Sequence, residues 1–175
     1  MAAEKFSISD EAISLAPYDP AWPGRFERER VLLGEQIGPW VEGGIHHVGS
    51  TAVPGLEAKP TVDILVGIEN LESGRACFKP LAQLDYAYAP YLPEEMHWFC
   101  KPSPARREFH LHLVPVASAR FRDELAFRDL LRADPGLAHA YVGLKRSLAA
   151  RFPEDREAYT EGKGEFVERV LGRAG

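Results

Sequence analysis

The sequence predicts an α+β domain in which a twisted mixed sheet is flanked by helices and followed by a helical C-terminal section. Three observations carry that prediction. The segment Thr61–Ile68 alternates in the way a half-covered strand does, with Val62, Ile64, Val66 and Ile68 on one side. An amphipathic helical pattern precedes it, with Phe26, Val31, Leu32, Leu33 and Ile37 at approximately helical spacing. The last third lacks that alternation and reads as three helices. A helix, then strands with an intervening helix, then a helical bundle is the order of an α+β layer.

Taken in order, residues 1–15 form an N-terminal extension in which Ile13 to Leu15 has the composition of a short strand. Pro17, Pro20 and Pro23 exclude regular helix up to Pro23, which itself suits a first helical turn. The predicted helix then places Glu27, Arg28, Glu29 and Arg30 outside, and Gly38-Pro39 ends it. Ile45–Val48 is a short strand running into Gly49-Ser50-Thr51, and the strand Thr61–Ile68 follows a glycine-broken segment. Leu71–Leu84 reads as a helix interrupted or ended near Lys79-Pro80. Met96–Lys101 and Phe109–Val114 read as strands joined by a turn rich in proline and arginine. The C-terminal helices, within 118–172, are Ser118–Arg132, Gly136–Arg151 and Glu154–Leu171. Leu137, Tyr141, Leu144 and Leu148 form one apolar stripe there, and Tyr159, Phe166, Val167 and Val170 another.

Composition narrows the function classes. The 175 residues suit one domain, whose core at this length needs no disulfide or metal to hold it. Apolar residues at 45% and charged residues at 27% exclude disordered and fibrous classes. A formal charge of -5 argues against general nucleic-acid binding. Cys77 and Cys100 make no framework and match no zinc spacing, so both read as ordinary buried residues. Apolar runs are too short to cross a membrane and the N-terminus has no apolar leader, so the expected location is cytoplasmic.

The chemistry-bearing residues cluster in the segment from His46 to Ile64. A strand that ends in Gly49-Ser50 and turns into a helix brings free backbone N–H groups and a hydroxyl to one point, the kind of site phosphates use. Asp63 lies twelve residues after Thr51 inside an apolar strand, where a carboxylate needs a cation or hydrogen-bond donors. The same residues also read as a helix cap, at Ser50 or Thr51, and a structural ion pair at Asp63.

The string GSTAVPGLEAKPTVDI, preceded by PYDPAWPGRFERE and followed by HLHLV, RDLLR and YTEGKGEFV, resembles the GrpB family from about Pro17 to Val167. That family belongs to the nucleotidyltransferase-like superfamily, and a similar domain is joined to some dephospho-CoA kinases. The resemblance implies a nucleotidyltransferase-like fold in which Gly49, Ser50 and Thr51 hold phosphate and Asp63 is the first acid of an Asp-x-Asp metal pair. It also marks a departure: the second acid is replaced by Leu65, and the third-acid strand carries His110 and His112. Imidazole favours Zn, Ni or Fe over Mg²⁺. The implied function is a nucleotide- or phosphate-binding protein, as a nucleotidyltransferase dependent on a divalent metal (Mg, Mn or Zn) or as a non-catalytic binding or folding-assistance module of the same fold.

His110 and His112 share one strand face, so with Asp63 they read either as a two-His, one-carboxylate metal site or phosphate grip, or as half-buried hydrogen-bonded histidines. One of His46 and His47 must point to that face. Cations give an independent line of argument. Arg128, Lys145 and Lys163 each fall on or beside the inward stripe of a C-terminal helix, with Lys145 four residues after Tyr141 and Lys163 four after Tyr159. Lys59 stands just before the Asp63 strand, and Lys101, Arg106 and Arg107 surround the next turn as a phosphate-facing rim or a solvated loop. The inward cations are expected to meet a small phosphorylated ligand, or else snorkel or pair with Asp63, Asp129 or Glu165. Trp98 reads as packing or as a surface on which a base stacks.

Overall fold

The computed structural model describes residues 12–172. The first helix, α1 (Trp22–Ile37), has proline in its opening turn and closes at Gly38, with Pro39 in a short 3-10 turn. Strand β1 (Ile45–Val48) leads through Gly49 into a 3-10 turn, Ser50–Ala52. After a loop come β2 (Val62–Ile68), the short helices α2 (Leu71–Gly74) and α3 (Phe78–Gln83), and the two-residue strand β3 (Ala87–Tyr88). The hairpin β4 (His97–Pro102) and β5 (Arg107–Pro115) precedes four helices: α4 (Ala119–Ala133), α5 (Pro135–Arg151), α6 (Arg156–Glu161) and α7 (Gly164–Val170). Ser118, Asp134 and Asp155 each accept a hydrogen bond from the backbone N–H three residues on, which fixes where α4, α5 and α6 begin.

The strands form one sheet in the order β1-β2-β5-β4-β3. Among the described residues β2 and β5 pair in parallel, and the other neighbours are antiparallel. The architecture is therefore the α+β mixed sheet with flanking helices that the sequence predicts. One face carries Val62, Ile64, Val66, Ile68, Leu111 and Leu113, packed with Trp22, Leu33 and Ile37 of α1 and Leu81 of α3. The other face packs Leu65, Trp98, Cys100 and Val114 against Phe121 of α4. A third cluster docks Val53 and Leu56, from the loop after the Gly-Ser turn, onto Leu131, Tyr141 and Phe166 of the C-terminal helices. Asp63, His110 and His112 stand on the α4 face, beside the edge where this third cluster begins.

Several expectations need correction. Glu29, expected outside, is 7% exposed. It lies three residues after Phe26 and four before Leu33, so helical geometry turns it inward. There it meets Lys101 and Tyr86. Lys101 is thereby drawn to the α1 face and forms no phosphate-facing rim, while exposed Arg106 pairs with Glu108. The interruption between Leu71 and Leu84 falls at Arg75–Cys77, because Pro80 sits in the first turn of α3, where its missing N–H costs no helical bond. The third C-terminal helix is two, α6 and α7. A Cβ on Gly162 would stand 2.5 Å from Leu148 Cδ2, so the break lets the chain approach α5 closely. Ile13–Leu15 is no strand; the bridge in that region pairs Ala16 with Ala58. The part of the N-terminal extension before residue 12 lies outside the described residues. Cys77 and Cys100 are buried free thiols.

Candidate functional site

Register explains how the site assembles. In the parallel pair β2–β5, Asp63 lies opposite His110, and in the antiparallel pair β1–β2 it lies opposite Val48. The chain leaving Val48 therefore turns directly over Asp63. Gly49 makes that turn with φ +73, and a Cβ there would stand 2.5 Å from Asp63 Oδ2. Only glycine combines this backbone conformation with that approach. The turn that follows spans three residues, too few for the helix dipole expected behind a phosphate-binding N-terminus. Charge at this site comes instead from side chains.

Two imidazoles address Asp63. His110 Nδ1 is 3.0 Å from Asp63 Oδ1, and His112 Nε2 is 3.9 Å from the same oxygen. His112 Nδ1 is 3.1 Å from Glu124 Oε2 on α4, and Glu124 in turn contacts Arg120. Burial works against the charge on Asp63. The hydrogen bond from His110 and the charges of His110, His112 and Lys59 outweigh it, so the carboxyl is held below its ordinary range. Burial lowers His110 and is only partly offset by Asp63. His112 is also opposed by burial, yet Glu124 and Asp63 raise it. With Asp63 ionised and His110 neutral, the proton of His110 belongs on Nδ1, donating to the carboxylate. Its buried Nε2 has no hydrogen-bond partner among the described residues.

Lysines line the adjoining wall. Lys145 on α5 is 2% exposed; its Nζ lies 3.0 Å from Ser50 Oγ and donates to the Glu57 carbonyl. It also sits 5.0 Å from the Tyr141 ring centre. Lys163, in the break between α6 and α7, stands 4.6 Å over the Tyr159 ring, and Lys59 reaches the same ring at 5.3 Å. Among the described residues no carboxylate forms a salt bridge with any of these three lysines. Burial, then repulsion from Lys163, lowers Lys145 to about 7. Burial, then repulsion from Lys59, lowers Lys163 to about 8, with Asp63 opposing. Lys59 is lowered by burial, against the pull of Asp63 and with Arg156 and Arg107 adding to the repulsion.

The structure thus brings together Gly49, Ser50, Lys59, Asp63, His110, His112, Lys145 and Lys163. Arg128 is elsewhere engaged: Nη1 donates to the His47 carbonyl at 3.1 Å and Nε to Asp129 at 2.8 Å. Thr51 points away from the lysines, its hydroxyl 2.9 Å from His47 Nε2. His47 is buried on the α1 face, stacked on Phe26. The histidine on the Asp63 face is His46, whose Nε2 donates to the Gly43 carbonyl. Trp98 is 8% exposed and packs its ring against His110, so it is occupied as packing.

The apolar stripes assign Tyr141 and Tyr159 to the core, and in the structure each ring also carries a lysine. The repeated spacing, Tyr141 to Lys145 and Tyr159 to Lys163, was the available signal that each aromatic ring carries a cation. Glu124 and Arg120 carry no local signal, because their roles arise from α4 docking on the sheet.

The donor set does not fit the two-cation arrangement that the resemblance implies. Leu65, in place of the second acid, is 0% exposed within the apolar core, and the β5 positions supply imidazoles already engaged by Asp63 and Glu124. Among the described residues no group of three or more His, Cys, Asp or Glu is placed to hold a metal ion. None of the described helices is long and apolar enough to cross a membrane.

A Gly-Ser turn seated on a half-buried acid, beside a lysine-lined wall supplied largely by a helical C-terminal section, defines an α+β domain with a site where acid, imidazoles and lysines meet. The chain belongs to the GrpB family, whose profile (GrpB protein) matches residues 12–173. A UPF0157 protein of Pseudomonas aeruginosa is 42% identical over 174 residues, covering 96% of this chain and 70% of the relative. The glutamate-rich protein GrpB of Alkalihalophilus pseudofirmus is 32% identical, covering 94% and 97%. The crystal structure of the conserved protein GrpB from Enterococcus faecalis superposes with a TM-score of 0.80 at 29% identity, covering 91% of this chain and 95% of that one. A dephospho-CoA kinase of Mycolicibacterium paratuberculosis contains a segment 26% identical to this chain; the match covers 95% of the chain and 47% of the kinase.

Proposed function

We propose that this protein binds a small phosphorylated ligand, of the nucleotide class, at the wall formed by Ser50, Lys59, Lys145 and Lys163. The observation that carries the reading is the gathering of three lysines around Tyr141 and Tyr159 with no salt-bridging carboxylate among the described residues. Lys145 is buried and Lys59 and Lys163 are half-buried, and like charges collected where water is partly excluded disfavour the folded state unless a counter-ion joins them; Asp63 offsets Lys59 and Lys163 only in part. A phosphate group supplies two negative charges and three acceptor oxygens. Lys59 and Lys163 are its natural counter-charges. Ser50, bonded to Lys145, stands at the floor of the same site. The net charge of -5 restricts the partner to a compact anion, since an extended nucleic acid would meet a surface of its own sign. The segment similar to this chain in a protein named as a kinase, a phosphoryl-transferring class, agrees with the reading.

The reading calls for no protein-held pair of divalent ions, because Leu65 stands where the second acid of such a pair would be. The test is calorimetric and thermal-shift titration of the full chain with ATP, ADP and pyrophosphate, in chelator and in Mg²⁺. Binding in chelator that Lys163→Met weakens at least tenfold supports the reading. Equal affinity in wild type and Lys163→Met, or no binding by any of the three, ends it.

A further inference from the structure

Beyond holding a ligand, the site contains the parts of an activated nucleophile. Ser50 Oγ is 3.0 Å from Lys145 Nζ, and Tyr141, one helical turn before Lys145, also contacts Ser50 through its hydroxyl. Gly49 aims Ser50 out of β1 at a sharp turn, and Ser50 is partly exposed while Lys145 is almost wholly buried. The Glu57 carbonyl accepts one N–H of Lys145 and so fixes where its remaining positions point. A serine hydroxyl is a weak nucleophile unless a neighbouring base takes its proton, and a desolvated lysine is one such base. Among the described residues Lys145 is the basic nitrogen placed against Ser50 Oγ: His47 faces the opposite side of the sheet, and His110 and His112 are turned to Asp63.

We propose that Ser50 is a nucleophile, activated by Lys145, that accepts a phosphoryl group from the ligand held by Lys59 and Lys163. The inference rests on the phosphate-ligand reading above. In the forward step Ser50 Oγ forms a bond to phosphorus while its proton passes to the neutral Lys145 amine. The bond between phosphorus and the leaving oxygen breaks, and that oxygen departs with the electron pair and receives the proton from the Lys145 ammonium. A water or hydroxyl acceptor reverses the sequence and restores Ser50. The substrate class is a phosphoanhydride or phosphate ester whose oxygens Lys59 and Lys163 neutralise. Burial and the neighbouring lysines lower Lys145 to about 7, so the neutral base is populated at physiological pH.

A purely structural Lys145, tying α5 to the Gly-Ser turn, makes the opposite prediction for one substitution. Lys145→Arg keeps the charge and the donors but cannot act as a base near neutral pH. The full chain is treated with a fluorophosphonate probe, whose electrophilic phosphorus reports serine nucleophilicity without needing the anion site, and the labelled peptide is identified by mass spectrometry. Labelling at Ser50, rising with pH to a plateau above about 7 and lowered about 100-fold or more in Lys145→Arg, is expected. A folded wild-type chain that is not labelled at Ser50, or a Lys145→Arg variant labelled as fast as wild type, overturns the proposal. The wild-type pH profile decides the matter if the variant fails to fold: a rate independent of pH between about 5.5 and 8.5 also overturns it. Parallel calorimetry with ATP separates the two readings. ATP binding without labelling removes the nucleophile and leaves the ligand site, whereas labelling without binding of any phosphate removes the ligand reading and leaves an activated serine.

Discussion

Gly49 sits so close over Asp63 that a Cβ would stand 2.5 Å from Asp63 Oδ2. The glycine of the Gly-Ser turn is therefore fixed twice, by its φ of +73 and by the carboxylate beneath it. Gly49→Ala is expected to destabilise the protein by about 2–6 kcal/mol, combining about 1–3 for a positive-φ, extended-ψ backbone essentially confined to glycine with an overpacking term of about 1–3. Denaturant unfolding measures the total. In an Asp63→Ala background the same substitution should cost only the backbone part, and an unchanged cost there would refute the steric argument.

The second constraint crosses the sheet's other face. Lys101 Nζ is 2.8 Å from Glu29 Oε1, and the Tyr86 hydroxyl donates to Glu29 Oε2 at 2.8 Å. Lys101→Met strands a buried carboxylate on one neutral donor, so a loss of about 3–5 kcal/mol is expected. Replacing Glu29 and Lys101 together by methionine should recover a large part of it. A double variant no better than Lys101→Met would mean the cost lies in packing rather than in the unpaired charge.

These two relationships differ in how far the sequence revealed them. The alternation of Val62 to Ile68 and the break at Gly49-Ser50 reflect local steric rules, so this inner strand of the sheet and the turn before it are legible. Lys145 and Lys163 were legible as inward cations because helical spacing fixes the side they share with Tyr141 and Tyr159. Charge alone puts Glu29 in solvent, whereas its angular position between Phe26 and Leu33 turns it inward. Register determined the rest. That Asp63 lies opposite His110, or that Glu124 reaches His112, depends on which strand pairs with which and how α4 docks. No local pattern encodes either.

Acid stability offers a cleaner readout of burial. His47 is 7% exposed, and desolvation, with Asp63 opposing and Arg132 and Arg128 adding, lowers it to about 4. The unfolded chain binds this proton near pH 6.5, well before the folded one does. Stability is thus complete above about 6.5 and is lost as pH falls towards 4, by about 3 kcal/mol over that window. His47→Gln should flatten this segment of the stability-pH curve. An undiminished slope between pH 6.5 and 4 in the variant would assign the acid sensitivity to other groups.

Ligand binding should carry its own proton linkage. Lys163, lowered to about 8, is roughly half neutral at pH 8 in the free protein. A bound phosphate favours the charged ammonium and raises this value, so the complex takes up a proton fraction of about one half at pH 8. Affinity for pyrophosphate should therefore strengthen as pH falls from about 9 to 7, opposite to what deprotonation of the ligand alone would give. Calorimetry at pH 8 in buffers of different ionisation enthalpy measures the uptake directly. Lys163→Met should abolish it while leaving the Lys145–Ser50 contact in place. A binding enthalpy that is the same in every buffer would show that Lys163 does not face the phosphate.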